Sequence, residues 1–147
     1  MITNRINKFL DEVTNWSAAQ ADIMALALVG SHAKGTATDS SDVDLVLIAL
    51  KPGFFVDNFD WIGQFGRIAK TQIEYYGLVT SIRVWYIDGL EVEYGITDKS
   101  WAAEPLDTGT QQVINDGMRI LFERNNILSR HQASKWPSDI EEVRFIS

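Results

Sequence analysis

Along the first twenty residues, Ile6, Phe9, Leu10 and Val13 recur at helical spacing, with Trp16 near the end of the run. Charged and amide residues fill the positions between them. The pattern predicts an amphipathic helix over residues 3–20 with one buried face. The unbroken apolar segment 23–29 predicts a short strand, ended by Gly30. Residues 30–37 are too few and too small for a long helix, and suit a turn leading into a single helical turn. Thr38-Asp39-Ser40-Ser41 is a loop of turn-forming residues, with Asp39 read as one of them rather than as a ligand. Residues 43–50 are nearly continuous Val, Leu and Ile, the pattern of a strand covered on both faces. Its acids, Asp42 and Asp44, stand at its start and not in its middle.

Further along, Pro52-Gly53 breaks the chain, and residues 58–65 read as a short helix stopped by Gly63 and Gly66. From 67 to 97 the pattern changes to strands. Segments 81–87 and 90–97 flank Asp88-Gly89, a dipeptide that favours a tight hairpin. In the second arm Leu90, Val92, Tyr94 and Ile96 share one face, while Glu91, Glu93 and Gly95 share the other. Residues 108–115 predict a helix, leading through Gly117 to an apolar strand at 118–122 and then, at Asn125-Asn126, to a turn into a polar tail. No repeat, low-complexity tract or linker divides the chain. One domain over residues 1–147, of α/β (α+β) class with a mixed sheet flanked by helices, is the expected architecture.

Composition narrows the function classes. The 147 residues are 46% hydrophobic and 22% charged, enough apolar material for a core. There is no cysteine, which removes disulfides, thiolate metal sites and cysteine nucleophiles. The net charge of −7 argues against an extended nucleic-acid-binding surface, so an anionic nucleotide has to be held by magnesium and local dipoles. With no secretory pattern at the start and no apolar run of membrane-spanning length, a cytoplasmic protein without membrane contact is expected.

The chemistry concentrates around Gly30-Ser31 and Asp42-Val43-Asp44. Two acids two positions apart on a strand leave the same face, where they can share hard cations such as magnesium. Gly30 lets the backbone approach a phosphate closely, and the Ser31 hydroxyl and the amides of the next turn can donate to its oxygens. Lys34, one turn on, adds a candidate point charge. The order Gly30, then Lys34-Gly35-Thr36, is not that of a Walker loop. His32 reads as a surface histidine. Arg83 and Lys99 flank the acidic strand and can neutralise phosphate charge, although a strand arginine commonly pairs with a neighbour such as Glu91. The tryptophans are read as core, with Trp85 and Trp101 the two candidates for contact with a base.

Gly30-Ser31, ten residues, then Asp42-Val43-Asp44 resembles the core motif of the nucleotidyltransferase superfamily, which includes DNA polymerase β, antibiotic nucleotidyltransferases and small stand-alone bacterial members. The run from Val84 to Gly95 is similar to such stand-alone members. The resemblance covers about residues 23–97 and leaves residues 108–147 without a comparable clue. It implies a magnesium-dependent enzyme that moves a nucleoside monophosphate, AMP from ATP being the expected case, to a hydroxyl on a small molecule or protein. It implies Gly30, Ser31 and Lys34 on the triphosphate and Asp42 and Asp44 on two magnesium ions. A third acid, Glu93 ahead of Glu91, would bind the first metal and help deprotonate the acceptor. An antitoxin-like member that binds or nucleotidylates a partner protein, and a nucleotide-binding relative without turnover, are the other readings; a homodimer is left open.

Overall fold

Apolar runs that lie far apart in the chain become neighbouring strands. The computed structural model describes residues 2–38, 40–58, 60–103 and 108–131, so Asp39 and the tail beyond His131 lie outside the described residues. Strands β1 (Ile23–Val29) and β2 (Val43–Ala49) pair antiparallel, and β2 pairs parallel with β5 (Glu91–Thr97). The antiparallel strands β3 (Ile68–Tyr76) and β4 (Val79–Tyr86) extend the sheet beyond β5, and β6 (Arg119–Glu123) closes the other edge against β1. The order is β3-β4-β5-β2-β1-β6. A mixed sheet flanked by helices is therefore the observed architecture.

Strand alternation divides the interior in two. On one face lie Val43, Leu45 and Leu47 of β2, Val92, Tyr94 and Ile96 of β5, and Ile82 and Val84 of β4. Helix α1 (Ile2–Ala19) covers this face with Phe9 and Val13, both fully buried as its spacing predicted. Phe9 meets Phe65 and Tyr94 edge to face, with ring centroids 5.6 and 6.1 Å away. Beside it Trp16 and Trp61 stack at 4.9 Å. The Tyr86 hydroxyl donates to the Ile62 carbonyl at 2.8 Å and lies 2.7 Å from the Tyr94 hydroxyl, which satisfies both phenols inside an apolar layer. On the opposite face a smaller core joins Ala25, Ala27, Val46 and Ile48 to Trp101, to Ile114 of α4 (Thr108–Asp116) and to Leu128.

Two stretches differ from the sequence reading. Pro52-Gly53 does not merely break the chain: Pro52, at φ −59, sets the dihedral of a first helical turn, and α3 (Gly53–Asp57) follows it. Residues Asp60–Phe65 then form a 3-10 helix, placing Ile62 and Phe65 in the core, where a short helix over 58–65 was expected. The segment after β6 is also less polar in effect than its composition suggests. Asn125 and Asn126 make the expected turn, with φ of 58 and 54, but Ile127, Leu128 and His131 are buried, and His131 Nε2 lies 2.6 Å from the Ala102 carbonyl. Three buried positions within five residues form a segment too short to stand out in a pattern read along the chain.

Because Phe9 ties α1 to the sheet through two ring contacts, Phe9→Ala should cost about 3–5 kcal/mol. Urea unfolding followed by circular dichroism checks this; a loss below about 1 kcal/mol would mean that α1 is dispensable to the core.

Candidate active site

The sequence motif folds into a turn between two antiparallel strands. Gly30, at φ +73, opens the five-residue helix α2 (Gly30–Lys34), and Gly35 closes it in the left-handed conformation. The loop back to β2 is held by its own polar groups. The Thr38 amide donates to Ser41 Oγ at 2.9 Å, and the His32 ring nitrogen lies 3.4 Å from the Ser41 carbonyl. His32, read from the sequence as a surface histidine, is half-buried beside this loop.

Pairing then sets a row of side chains across four strands. Val29 of β1 lies opposite Asp44 of β2, Asp44 opposite Glu93 of β5, and Glu93 opposite Arg83 of β4. All project from the face that carries the smaller core. Asp42 precedes β2 on the same side. One carboxylate oxygen from each of Asp42, Asp44 and Glu93 lies within 4.8 Å of the others, close enough for the three to converge on a divalent cation. Glu91 is not a member of this trio.

Each acid has a distinct environment. Glu93 Oε2 accepts from the Ser81 hydroxyl at 2.6 Å, and its Oε1 lies 3.2 Å from Arg83 Nη2. Arg83 Nη1 also donates to Asp42 Oδ2 at 3.0 Å and to Glu91 Oε2 at 2.8 Å. Pairing of Arg83 with Glu91 was expected from the sequence; its reach to Asp42 and Glu93 was not. The alternation of Ser81 and Arg83 on the strand paired with the acidic arm was the available signal. Asp44 Oδ1, in contrast, is buried without a partner. Burial, and then the negative charges of Asp42 and Glu93, push the Asp44 carboxyl up to about 7, against the pull of Arg83.

Gly30 is required by the same packing. A Cβ added there would stand 2.2 Å from Asp44 Oδ2, so no larger residue fits over this carboxylate without movement. Ser31 follows it at the start of α2, half-buried, and the helix has no side-chain cap on its first turn. Lys34 is exposed, and its stem lies beside Gly117. Trp101 is buried in the smaller core, and Trp85 is flanked by Lys70, whose Nζ lies 4.9 Å from its ring centre.

A cavity of about 350 Å³ opens directly from Gly30, Asp44 and Glu93. Its walls are mainly apolar, including Val46, Val79, Trp101 and Val113. Gly95 also lines it, where an added Cβ would press on the Leu45 carbonyl and Val79, each at 3.1 Å. A larger hollow of about 610 Å³ lies at the opposite end of β1 and β2, beside Met24 and Leu50, away from the trio.

Three hard oxygen donors, one of them a buried atom with no other partner, fit a divalent cation. Next to an apolar cavity and a glycine turn, such a centre suits displacement at phosphorus.

Comparison with known proteins gives the same outline. A family model described as streptomycin adenylyltransferase matches residues 4–135. The Methanocaldococcus jannaschii protein named "Putative protein adenylyltransferase MJ1305" is 24% identical over 152 residues, an alignment that covers 99% of this chain and 83% of that one. The crystal structure of an aminoglycoside 6-adenyltransferase from Bacillus subtilis superposes with a TM-score of 0.52 at 16% identity. That match covers 64% of this chain and 35% of the other, so the chain spans about a third of that structure and shares its fold. No helix among the described residues is long and apolar enough to cross a membrane.

The raised Asp44 value has a definite sign. Between the ordinary value of 3.8 and about 7, the folded protein holds a proton that the unfolded chain has released, so this group's contribution to stability is lost as pH rises through that window. Asp44→Asn should therefore raise the melting temperature of the metal-free protein at pH 8 by about 2–4 °C, with the gain shrinking toward pH 5. It should also abolish stabilisation by magnesium. Melts with and without magnesium decide this; a lower metal-free melting temperature in the variant would make Asp44 a structural group. Gly30→Ala should cost roughly 1–3 kcal/mol in urea unfolding, more than Gly35→Ala, because both have positive φ but an added methyl at Gly35 meets nothing. Equal costs would remove the argument for the Gly30–Asp44 contact.

Proposed function

This chain belongs to the streptomycin adenylyltransferase family within the nucleotidyltransferase superfamily, and we propose that it transfers AMP from ATP to an acceptor hydroxyl, releasing pyrophosphate. The observation that carries this reading is the trio Asp42, Asp44 and Glu93, brought together by β2 and β5 under the Gly30-Ser31 turn.

Asp42 and Asp44 would hold two magnesium ions, with Glu93 on one of them, and the metal supplies Lewis-acid stabilisation of charge on the transferring phosphate. Gly30 and Ser31 present a close backbone approach and a hydroxyl to the triphosphate, and Lys34 adds a flexible positive charge. In the transfer, the acceptor oxygen bonds to the α-phosphorus, the bond to the α–β bridging oxygen breaks, and pyrophosphate leaves. The hydroxyl proton passes to Glu93, within reach once Ser81 or Arg83 gives up one of its oxygens.

The acceptor divides into two readings. The family description points to an aminoglycoside, whereas a protein acceptor is favoured by the near full-length match to the archaeal relative named as a protein adenylyltransferase. Incubation with magnesium and ATP labelled at the α-phosphate, offered streptomycin, other aminoglycosides or a cell extract as acceptor, separates these cases. Label should enter a protein band and be reduced at least 100-fold by Asp42→Asn or Asp44→Asn. Equal labelling by wild type and variants would overturn the assigned roles. Magnesium-dependent ATP binding without transfer to any acceptor would leave a nucleotide-binding relative.

A further inference from the structure

The least expected feature of the site is that one guanidinium already occupies the cation's neighbourhood. Arg83 makes ion pairs of 3.0 Å with Asp42, 2.8 Å with Glu91 and 3.2 Å with Glu93. Two of these three acids belong to the trio that would hold the metal. All four side chains are between 24% and 30% exposed, so the pairs are screened less than ordinary surface contacts. The third pairs Arg83 with Glu91, which stands outside the trio. Glu91 lies opposite Trp85, and Arg83 also stands 6.0 Å from the centre of the Trp85 ring.

We propose that Arg83 is an internal counter-ion of the metal centre, a positioning residue that clamps Asp42 and Glu93 together in the metal-free protein and is displaced from them when a divalent cation binds, remaining anchored to Glu91. The inference rests on the reading of the trio as a metal site.

The physical case is one of charge. Asp42, Asp44, Glu91 and Glu93 converge on one face of the sheet, and Arg83 is the cation paired with three of them. Without it, Asp42 and Glu93 would repel across the gap between β2 and β5. A guanidinium meets this need in a way an ammonium does not, because its planar fork reaches several carboxylates at once. A divalent cation supplies twice the charge to the same oxygens, and the two cations repel at such range. Occupation by one therefore weakens occupation by the other. Glu91 gives the released guanidinium a place to stay, so it is not expelled into solvent and remains within the site as a positive group when the polyanionic nucleotide arrives.

The test uses metal binding and stability rather than turnover. Protein stripped with a chelator is titrated with Mn2+ followed by electron paramagnetic resonance, and melted at pH 8 with and without Mg2+. Arg83→Met should melt several degrees below wild type without metal, yet bind Mn2+ about ten-fold more tightly. Saturating Mg2+ should bring its melting temperature close to that of the wild type with Mg2+, since metal replaces what the arginine supplied. Arg83→Lys, which keeps the charge but not the fork, should fall between the two and serves if Arg83→Met does not fold. A variant that melts lower by the same margin with and without Mg2+, and binds Mn2+ no more tightly, would make Arg83 a purely structural residue and overturn the proposal. If wild type itself binds no Mn2+, the metal site falls, and the proposal with it. If wild type binds Mn2+ and Arg83→Met is unchanged, the clamp alone falls.

Discussion

The register of β2 against its two neighbours is the constraint from which the site follows. Antiparallel pairing with β1 puts Val29 opposite Asp44, and parallel pairing with β5 puts Asp44 opposite Glu93. A slip of one residue in either pairing would turn the acids into the larger core and the apolar residues toward the cavity. That core forbids the slip, because Val43, Leu45 and Leu47 alternate with the acidic side and are buried. The packing that stabilises the sheet thus also positions the acids.

The acids themselves work against stability. Three carboxylates with oxygens within 4.8 Å repel, one of them is raised to about 7, and one oxygen is buried without a partner. A cluster of this kind is a common mark of a site selected for binding rather than for folding. Ser81 and Arg83 limit the cost by occupying both oxygens of Glu93 and one of Asp42, and Gly30 leaves the space over Asp44 open. The protein therefore gathers this like charge in one small region of the sheet, supported by two apolar layers.

Much of this was legible along the chain. The spacing of Ile6, Phe9, Leu10 and Val13, the unbroken strand 23–29 and the alternation of residues 90–97 correspond to observed elements within a residue or two. Gly30-Ser31 and Asp42-Val43-Asp44 pointed to the site because strand, turn and strand are local structures with local signals. The helix after Pro52 was harder to see, since a Pro-Gly pair punctuates the pattern while also permitting a first helical turn. Ile127, Leu128 and His131 escaped for a different reason: their burial is decided by Ala102, Trp101 and the β1 surface that happen to lie beneath them.

The sequence by itself determined the elements, the fold class and the two acids that leave one strand face, because each depends on periodicity over a few residues. The ranking of Glu93 ahead of Glu91 came from the resemblance to the superfamily, since both stand on the same face of one strand. Only the tertiary structure separated them. The parallel pairing of β2 with β5 sets Glu93, not Glu91, beside Asp44, and the turn of β4 across β5 brings Arg83 within hydrogen-bond reach of both acids and of Asp42, 41 positions away. Such a juxtaposition is a property of strand order and register, which no window along the chain contains.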